Sequence, residues 1–283
     1  MKPHIKQKLY FNLFRLTGLV SLGIIVIVLL YVIHMGLGVI SFRFLTEMWV
    51  NSDITAGGIY PAIVGTFYLG VGVAVFSIPV GVSCAVYLNE YAGHSFLIRM
   101  IRLAIRNLAG VPSIIYGIFG FAVFVQMLNF GTSIIAASLT LSGMTIPWVI
   151  TASEESLKTV PRSFREGAYA LGASRWQAVR TNVLPYAASG MITGSIIGLA
   201  RAMGETAPII VVGATFYMRG LPNSPFDKFM VLPYHMFILA TQHVHPQAQA
   251  YAAGTALVLV ALIFSMTFIA LFVRYRYRKR KDW

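Results

Sequence analysis

Apolar residues dominate six stretches of the chain, each close to or beyond the roughly 20 residues that a helix needs to cross a bilayer. They run Leu16–Ile40, Pro61–Leu88, Leu108–Phe130, Ser133–Ala152, Tyr186–Met218 and Ala250–Val273, and only the uncharged turn Asn129-Phe130-Gly131-Thr132 parts the third from the fourth. The first stretch is too long for a signal-peptide core and no small-residue cleavage site follows it, so it predicts a retained helix. Between the second and third stretches the pattern changes. Arg99, Arg102 and Arg106 fall at i, i+3 and i+7 with Leu97, Ile101, Ala104 and Leu108 on the facing side, which predicts a helix lying in the membrane interface. After the fifth stretch, the Pro-rich segment from Arg219 to Gln249 contains Phe229–Ala240, an apolar run too short to span, which reads as interfacial or re-entrant.

The connection between the fourth and fifth stretches, Ser153–Pro185, is far longer than the 2–8 or so residues that usually join two helices, which points to a task of its own. Its pattern is helix–turn–helix. Pro161 suits a first-turn position, Ser163 and Glu166 have capping-box spacing, and Phe164, Ala168 and Leu171 form an apolar stripe. Gly172 supplies the left-handed residue that ends the first helix. Ser174 and Gln177 repeat the capping-box spacing, and Trp176, Val179 and Val183 follow before Pro185 closes the second helix. Such a pair either covers the bundle or transmits a partner's push into two spans.

Composition narrows the class. Apolar and aromatic residues make up 57% of the 283 residues and charged ones 11%, against about 25% in soluble domains; with mean hydropathy at +0.74, a soluble enzyme and a disordered chain are both excluded. The net charge of +13 would point to nucleic acid in a soluble protein, but its placement says otherwise. Eighteen of the 22 basic residues lie in the N-terminal segment, the loops after spans two and four, and the tail; Arg43, Arg219 and Lys228 alone lie in the other loops. By the positive-inside rule both termini are expected in the cytoplasm. The chain therefore reads as an all-α membrane protein with six transmembrane helices. Its expected parts are an N-terminal segment with the first helix and outer loop (1–60), a five-helix core (61–273) and a basic tail (274–283). Cys84 sits alone in an apolar run and has no disulfide partner. His235, His243 and His245 share the outer loop, but no nearby carboxylate or cysteine completes a four-ligand set, so no metal is expected.

The remaining basic residue, Arg201, lies inside the fifth stretch. Gly190, Gly194 and Gly198 precede it at four-residue spacing and Glu205 follows it one turn on, so all five are expected on one face of a single helix. Small residues at this spacing let another helix approach closely. A charge at this depth costs a few kcal/mol or more unless paired or wetted, and is a functional candidate for that reason. One reading is an internal ion pair that locks two helices. The other is an anion pathway, in which the guanidinium fork matches an oxyanion and the carboxylate one turn away keeps it from being held too tightly.

Glu166-Gly167-Ala168, Gly172 and Asn182-Val183-Leu184-Pro185 together resemble the EAA loop of ABC-importer membrane subunits, E-A-A-x3-G-x9-I-x-L-P. Gly167 stands where that motif has Ala, and Asn182 where it has Ile, which weakens one apolar contact. The stretch from Arg201 to Pro208, Arg-Ala-Met-Gly-Glu-Thr-Ala-Pro, resembles the hallmark of PstA-type permease subunits of phosphate-specific ABC importers, as do Val160–Ser174 and Gly110–Gly117. PstC-type subunits share the Arg-x3-Glu core, but Thr206-Ala207-Pro208 favours the PstA type. The resemblance spans the second to sixth stretches. It implies a type I ABC importer permease fold in a bacterial inner membrane. The implied partners are a PstC-like second permease, a PstB-like ATPase dimer that binds ATP and magnesium, and a periplasmic PstS-like phosphate-binding protein. Arg201, Glu205 and Thr206 would line the translocation pathway, and Glu166, Gly167, Ala168, Gly172, Leu184 and Pro185 would couple to the ATPase. The chain itself would be a transport subunit rather than an enzyme, with no cofactor of its own. It contains no G-x4-G-K-[ST] loop for nucleotide phosphates. Other readings are a permease for sulfate or molybdate, and a stand-alone secondary carrier, against which the missing inverted repeat and the long loop both argue. An intramembrane enzyme would need a catalytic set that the spans lack.

Overall fold

A computed structural model of the chain describes residues 3–50, 53–93, 95–218 and 220–279. Lys2, Arg219, Arg280 and Lys281, which entered the charge reading, lie outside the described residues. Every regular element among those described is helical. Five helices are long and apolar enough to cross a membrane: α1 (Pro3–Gly36), α3 (Tyr60–Val86, extended by a π-helical turn to Tyr91), α6 (Ile134–Lys158), α9 (Leu184–Gly204, continuous with the preceding turns from Arg175) and α12 (Ala248–Lys279). A short α2 (Phe42–Thr46) follows α1.

The third expected span starts late, at Ser113, after the separately expected amphipathic helix. α4 (Phe96–Leu108) is the amphipathic helix, capped by the Ser95 hydroxyl, and α5 (Ser113–Gly120) with a π-helical turn to Met127 follows it at an angle of 101°. Pro112 causes the bend: it lacks an N–H and biases the residue before it away from helix. α5 and its π turn alone cover only about 22 Å at 1.5 Å per residue, so this crossing is short.

The fourth span runs past its expected end at Ala152 to Lys158, through Glu154 and Glu155. Charge does not end the helix there because Glu154 has a partner, Arg102 of α4, with Nη1 2.6 Å from Oε1. Ser133 caps its other end. The segment after the fifth span forms α11 (Leu232–Thr241), whose Leu232, Pro233, His235 and Leu239 are buried against the long helices.

α3, α6 and α9 form the centre. One buried cluster joins Leu69 and Val73 of α3 to Ala137 and Leu141 of α6 and Ala202 of α9. A second, around Phe44, Trp49, Met230 and Leu232, gathers the loops after α1 and before α11 at one end. A third, around Leu88, Leu157, Val179 and Val183, gathers the connections after α3 and α6 at the other. The two basic loops thus share one end of the bundle, as their charge demanded. α1 leans on α12, where a Cβ on Gly36 would stand 2.7 Å from the Ala253 backbone, and most of its described apolar length is exposed.

Candidate functional site

The fifth span departs from expectation at both ends. A single helix was expected from Tyr186 to Met218, but α9 stops at Gly204, Glu205 is extended at ψ 130°, and α10 (Ala207–Val212) starts afresh. Pro208 accounts for the break, because its ring would collide with the Gly204 carbonyl if the helix continued. Glu205 is therefore not on the helical face with Gly190, Gly194, Gly198 and Arg201; it caps that helix from the break. At the other end Pro185 does not close a helix. α8 (Arg175–Ala178) passes through a π-helical turn, Val179–Val183, directly into α9. The widened turn sends the Leu184 N–H to the Val179 carbonyl, five residues back, which lets the proline be carried within one continuous rod.

The glycine stripe sets how closely this rod approaches α6. A Cβ on Gly190 would collide with the Ser156 side chain and one on Gly194 with Ala152, while one on Gly198 would touch Thr145 Cγ2 at 3.3 Å and Trp148 Cβ at 4.0 Å. One turn further along, the Arg201 guanidinium lies over the Trp148 ring, its Cζ 4.7 Å from the centroid. Arg201 Nε stands 3.5 Å from Glu205 Oε1, an ion pair too long for a hydrogen bond. The Arg201 side chain is 48% exposed and that of Glu205 20%. Among the described residues these are the contacts of the guanidinium, so its N–H groups are free. Thr206, half-buried at the break, caps α10 without a side-chain hydrogen bond.

The long loop divides into an inward and an outward face. α7 (Arg162–Ala170) starts after Pro161, and Ser163 with Glu166 forms no capping box there, because Pro161 already occupies the cap and Ser163 falls inside the first turn. The second box, Ser174 with Gln177, is formed in both directions. Gly172 takes φ +81° just beyond α7, the left-handed residue expected of it. Ala168, Val179 and Val183 are buried, whereas Glu166, Tyr169 and Trp176 are exposed. Leu171 leaves the expected apolar stripe and is 90% exposed, since it lies past the last helical turn. A Cβ on Gly167 would meet nothing within 4 Å, so the departure from Ala costs no packing. Asn182 does better than a weakened contact: its Nδ2 donates to the Phe164 carbonyl at 3.2 Å and ties α7 to the rod.

One polar centre escaped the sequence reading. Arg165 turns inward and donates from Nε and Nη2 to the two oxygens of Glu90 at 3.1 and 2.7 Å, and from Nη1 and Nη2 to the carbonyls of Val160 and Leu157. Glu90 ends the second span and its side chain is 5% exposed. Beside it Arg102 donates to the Leu88 carbonyl at 2.6 Å, and Arg175 lies over Tyr91. Nothing in the sequence links Glu90 to Arg165, 75 positions apart; a carboxylate at the end of an apolar span was the available hint.

At the opposite end, His235 is packed between Trp49 and Phe216, with ring centroids at 4.4 and 4.8 Å, and burial pushes its imidazole down to about 3. His243 lies beyond Phe216. Among the described residues no three His, Cys, Asp or Glu side chains gather into a metal-binding group.

Residues 77–279 match the family described as binding-protein-dependent transport system inner membrane component. The chain belongs to that family. It is 32% identical over 280 residues to the probable ABC transporter permease protein YqgI of Bacillus subtilis, covering 94% of this chain and 95% of that one. It is 33% identical over 272 residues to the phosphate transport system permease protein PstA of Mycobacterium leprae, covering 93% and 86%. Among solved structures, a bacterial ABC transporter involved in the import of the acidic polysaccharide alginate superimposes with a TM-score of 0.66 at 14% identity, over 95% of this chain and 99% of that chain. The permease thus has the type I ABC importer fold and is of the PstA type. It is a multi-pass membrane component of an ABC importer, not itself an enzyme, and it works with an ATPase and a binding protein.

Proposed function

We propose that this permease carries inorganic phosphate into the cytoplasm by alternating access, as the PstA-like half of a pore completed by a PstC-like subunit. A PstB-like ATPase dimer would supply ATP and magnesium chemistry, and a periplasmic PstS-like protein would deliver the anion across a bacterial inner membrane. Both termini and the basic end of the bundle would then face the cytoplasm, in keeping with the segregated charge. The observation that carries the reading is the half-exposed Arg201, at the break between α9 and α10, with unused N–H groups and a carboxylate held at 3.5 Å. A guanidinium so placed offers a fork to a tetrahedral oxyanion, and Glu205 offsets part of its charge so that the anion can leave. Thr206, next in the chain at the break, would complete the pathway lining. The relative named as a phosphate transport system permease supports phosphate among the oxyanions.

Coupling would run through the long loop. Glu166, Leu171 and Trp176 are exposed and open to a partner, with Gly167 and Ala168 in the same helix as Glu166 and Gly172 setting the turn. Motion there passes along the rod through Leu184 and Pro185 towards Arg201. The test is uptake of labelled phosphate by ATP-loaded vesicles containing the assembled importer. Arg201→Gln should abolish uptake while leaving the complex assembled, and uptake that persists would make Arg201 structural. Competition by excess sulfate or molybdate would reassign the anion.

A further inference from the structure

We infer that Trp148 is a positioning residue for transport, holding the Arg201 guanidinium by its face so that the N–H edge stays free for the anion. The inference rests on Arg201 being the anion-binding group. Trp148 sits in the middle of α6, just after Pro147, and belongs to none of the motifs that mark the loop or the fifth span. Trp148 is 41% exposed, so it is not a core residue placed there by burial. What brings it to Arg201 is the close packing along the glycine stripe: a Cβ on Gly198, one turn before Arg201, would stand 4.0 Å from the Trp148 Cβ. The ring then lies beneath the charge, with Cζ 4.7 Å from its centroid.

A ring face suits a transport arginine better than a second carboxylate would. It stabilises a cation through its quadrupole without accepting a hydrogen bond from it. Hydrogen-bond partners would compete with the anion for the same N–H groups; the ring leaves all of them available. It also confines a long, flexible side chain to one direction, which lowers the ordering cost on binding. Glu205 at 3.5 Å limits the charge, and Trp148 limits the geometry.

The experiment uses the complete importer in proteoliposomes, with the loaded binding protein saturating, and reads both phosphate uptake and binding-protein-stimulated ATP hydrolysis. Trp148→Leu should lower uptake per ATP hydrolysed by about fivefold, and Trp148→Phe should keep most of it. Replacing Trp148 site-specifically by mono-, di- and trifluorinated tryptophan, which weakens the ring quadrupole at nearly constant shape, should lower uptake per ATP in steps. A contact that merely fills space would not respond to fluorination, and a flat series would overturn the proposal. Arg201→Gln in the same assay separates the two readings. If it abolishes uptake while the fluorinated series stays flat, the anion site stands and the role of Trp148 falls. If Arg201→Gln transports normally, the anion site itself is lost and the inference with it.

Discussion

Glu90 gives both of its oxygens to Arg165, which also donates to two main-chain carbonyls, whereas Glu205 meets Arg201 through one atom pair at 3.5 Å. The first pair joins residues 75 apart, with side chains 19% and 5% exposed; the second joins residues four apart, 48% and 20% exposed. The same two side chains therefore do different work. At the loop end four of the five Arg165 N–H groups are bonded, and this largely buried pair fixes the ends of α3 and α6 to α7. At the break in the fifth span the donors are left over, and the charge is steadied by a ring instead. A satisfied pair holds elements together, and an unsatisfied one is available to something that passes.

Substitutions at three places would break or sharpen this contrast. The largest effect is expected from Arg165→Ala, which leaves the Glu90 carboxylate buried without its partner and should destabilise the permease by about 3 kcal/mol, read as a lower melting temperature in detergent. Adding Glu90→Ala should recover part of that loss, because no charge is then buried alone; strict additivity of the two would mean that the pair holds nothing. Gly194→Val comes next. Its side chain would press into Ala152 of α6, at an expected cost of about 1–3 kcal/mol, and by parting the helices it should also lower uptake. Wild-type melting for this variant would show that α9 and α6 do not depend on the stripe. The smallest change in stability belongs to Glu205→Gln, under about 1 kcal/mol for a pair this exposed, together with a clear fall in phosphate uptake. A melting loss as large as that of Arg165→Ala would place both pairs in one structural class.

The apolar pattern located all five long helices and the amphipathic α4, because burial in lipid writes itself into contiguous sequence. Arg201, Glu205 and the glycine stripe stood out for the same reason: they lie within four turns of one another. What stayed hidden depended on backbone breaks and on distance along the chain. Pro208 was read as part of a motif and not as a helix stop, so Glu205 was placed on a helix that ends before it. Pro185 was read as a stop and is instead carried by the π turn at Val179–Val183. Arg165–Glu90 and Arg201–Trp148 are tertiary contacts, and neither has a local signature that separates it from a surface arginine or a lipid-facing tryptophan.

The unbroken run from Arg175 to Gly204 has a mechanical consequence. At 1.5 Å per residue it is a stiff arm about 45 Å long, with Trp176 near one tip and Arg201 near the other. If it pivots at the glycine contacts with α6 in the proposed coupling, a tilt of about 5° would displace each tip by roughly 2 Å, in opposite directions. That distance is comparable to the difference between a made and a broken hydrogen bond. The stroke required of a partner at the loop would accordingly be small, with the π-helical turn at Val179–Val183 and Pro185 as the place on the arm where motion could be absorbed.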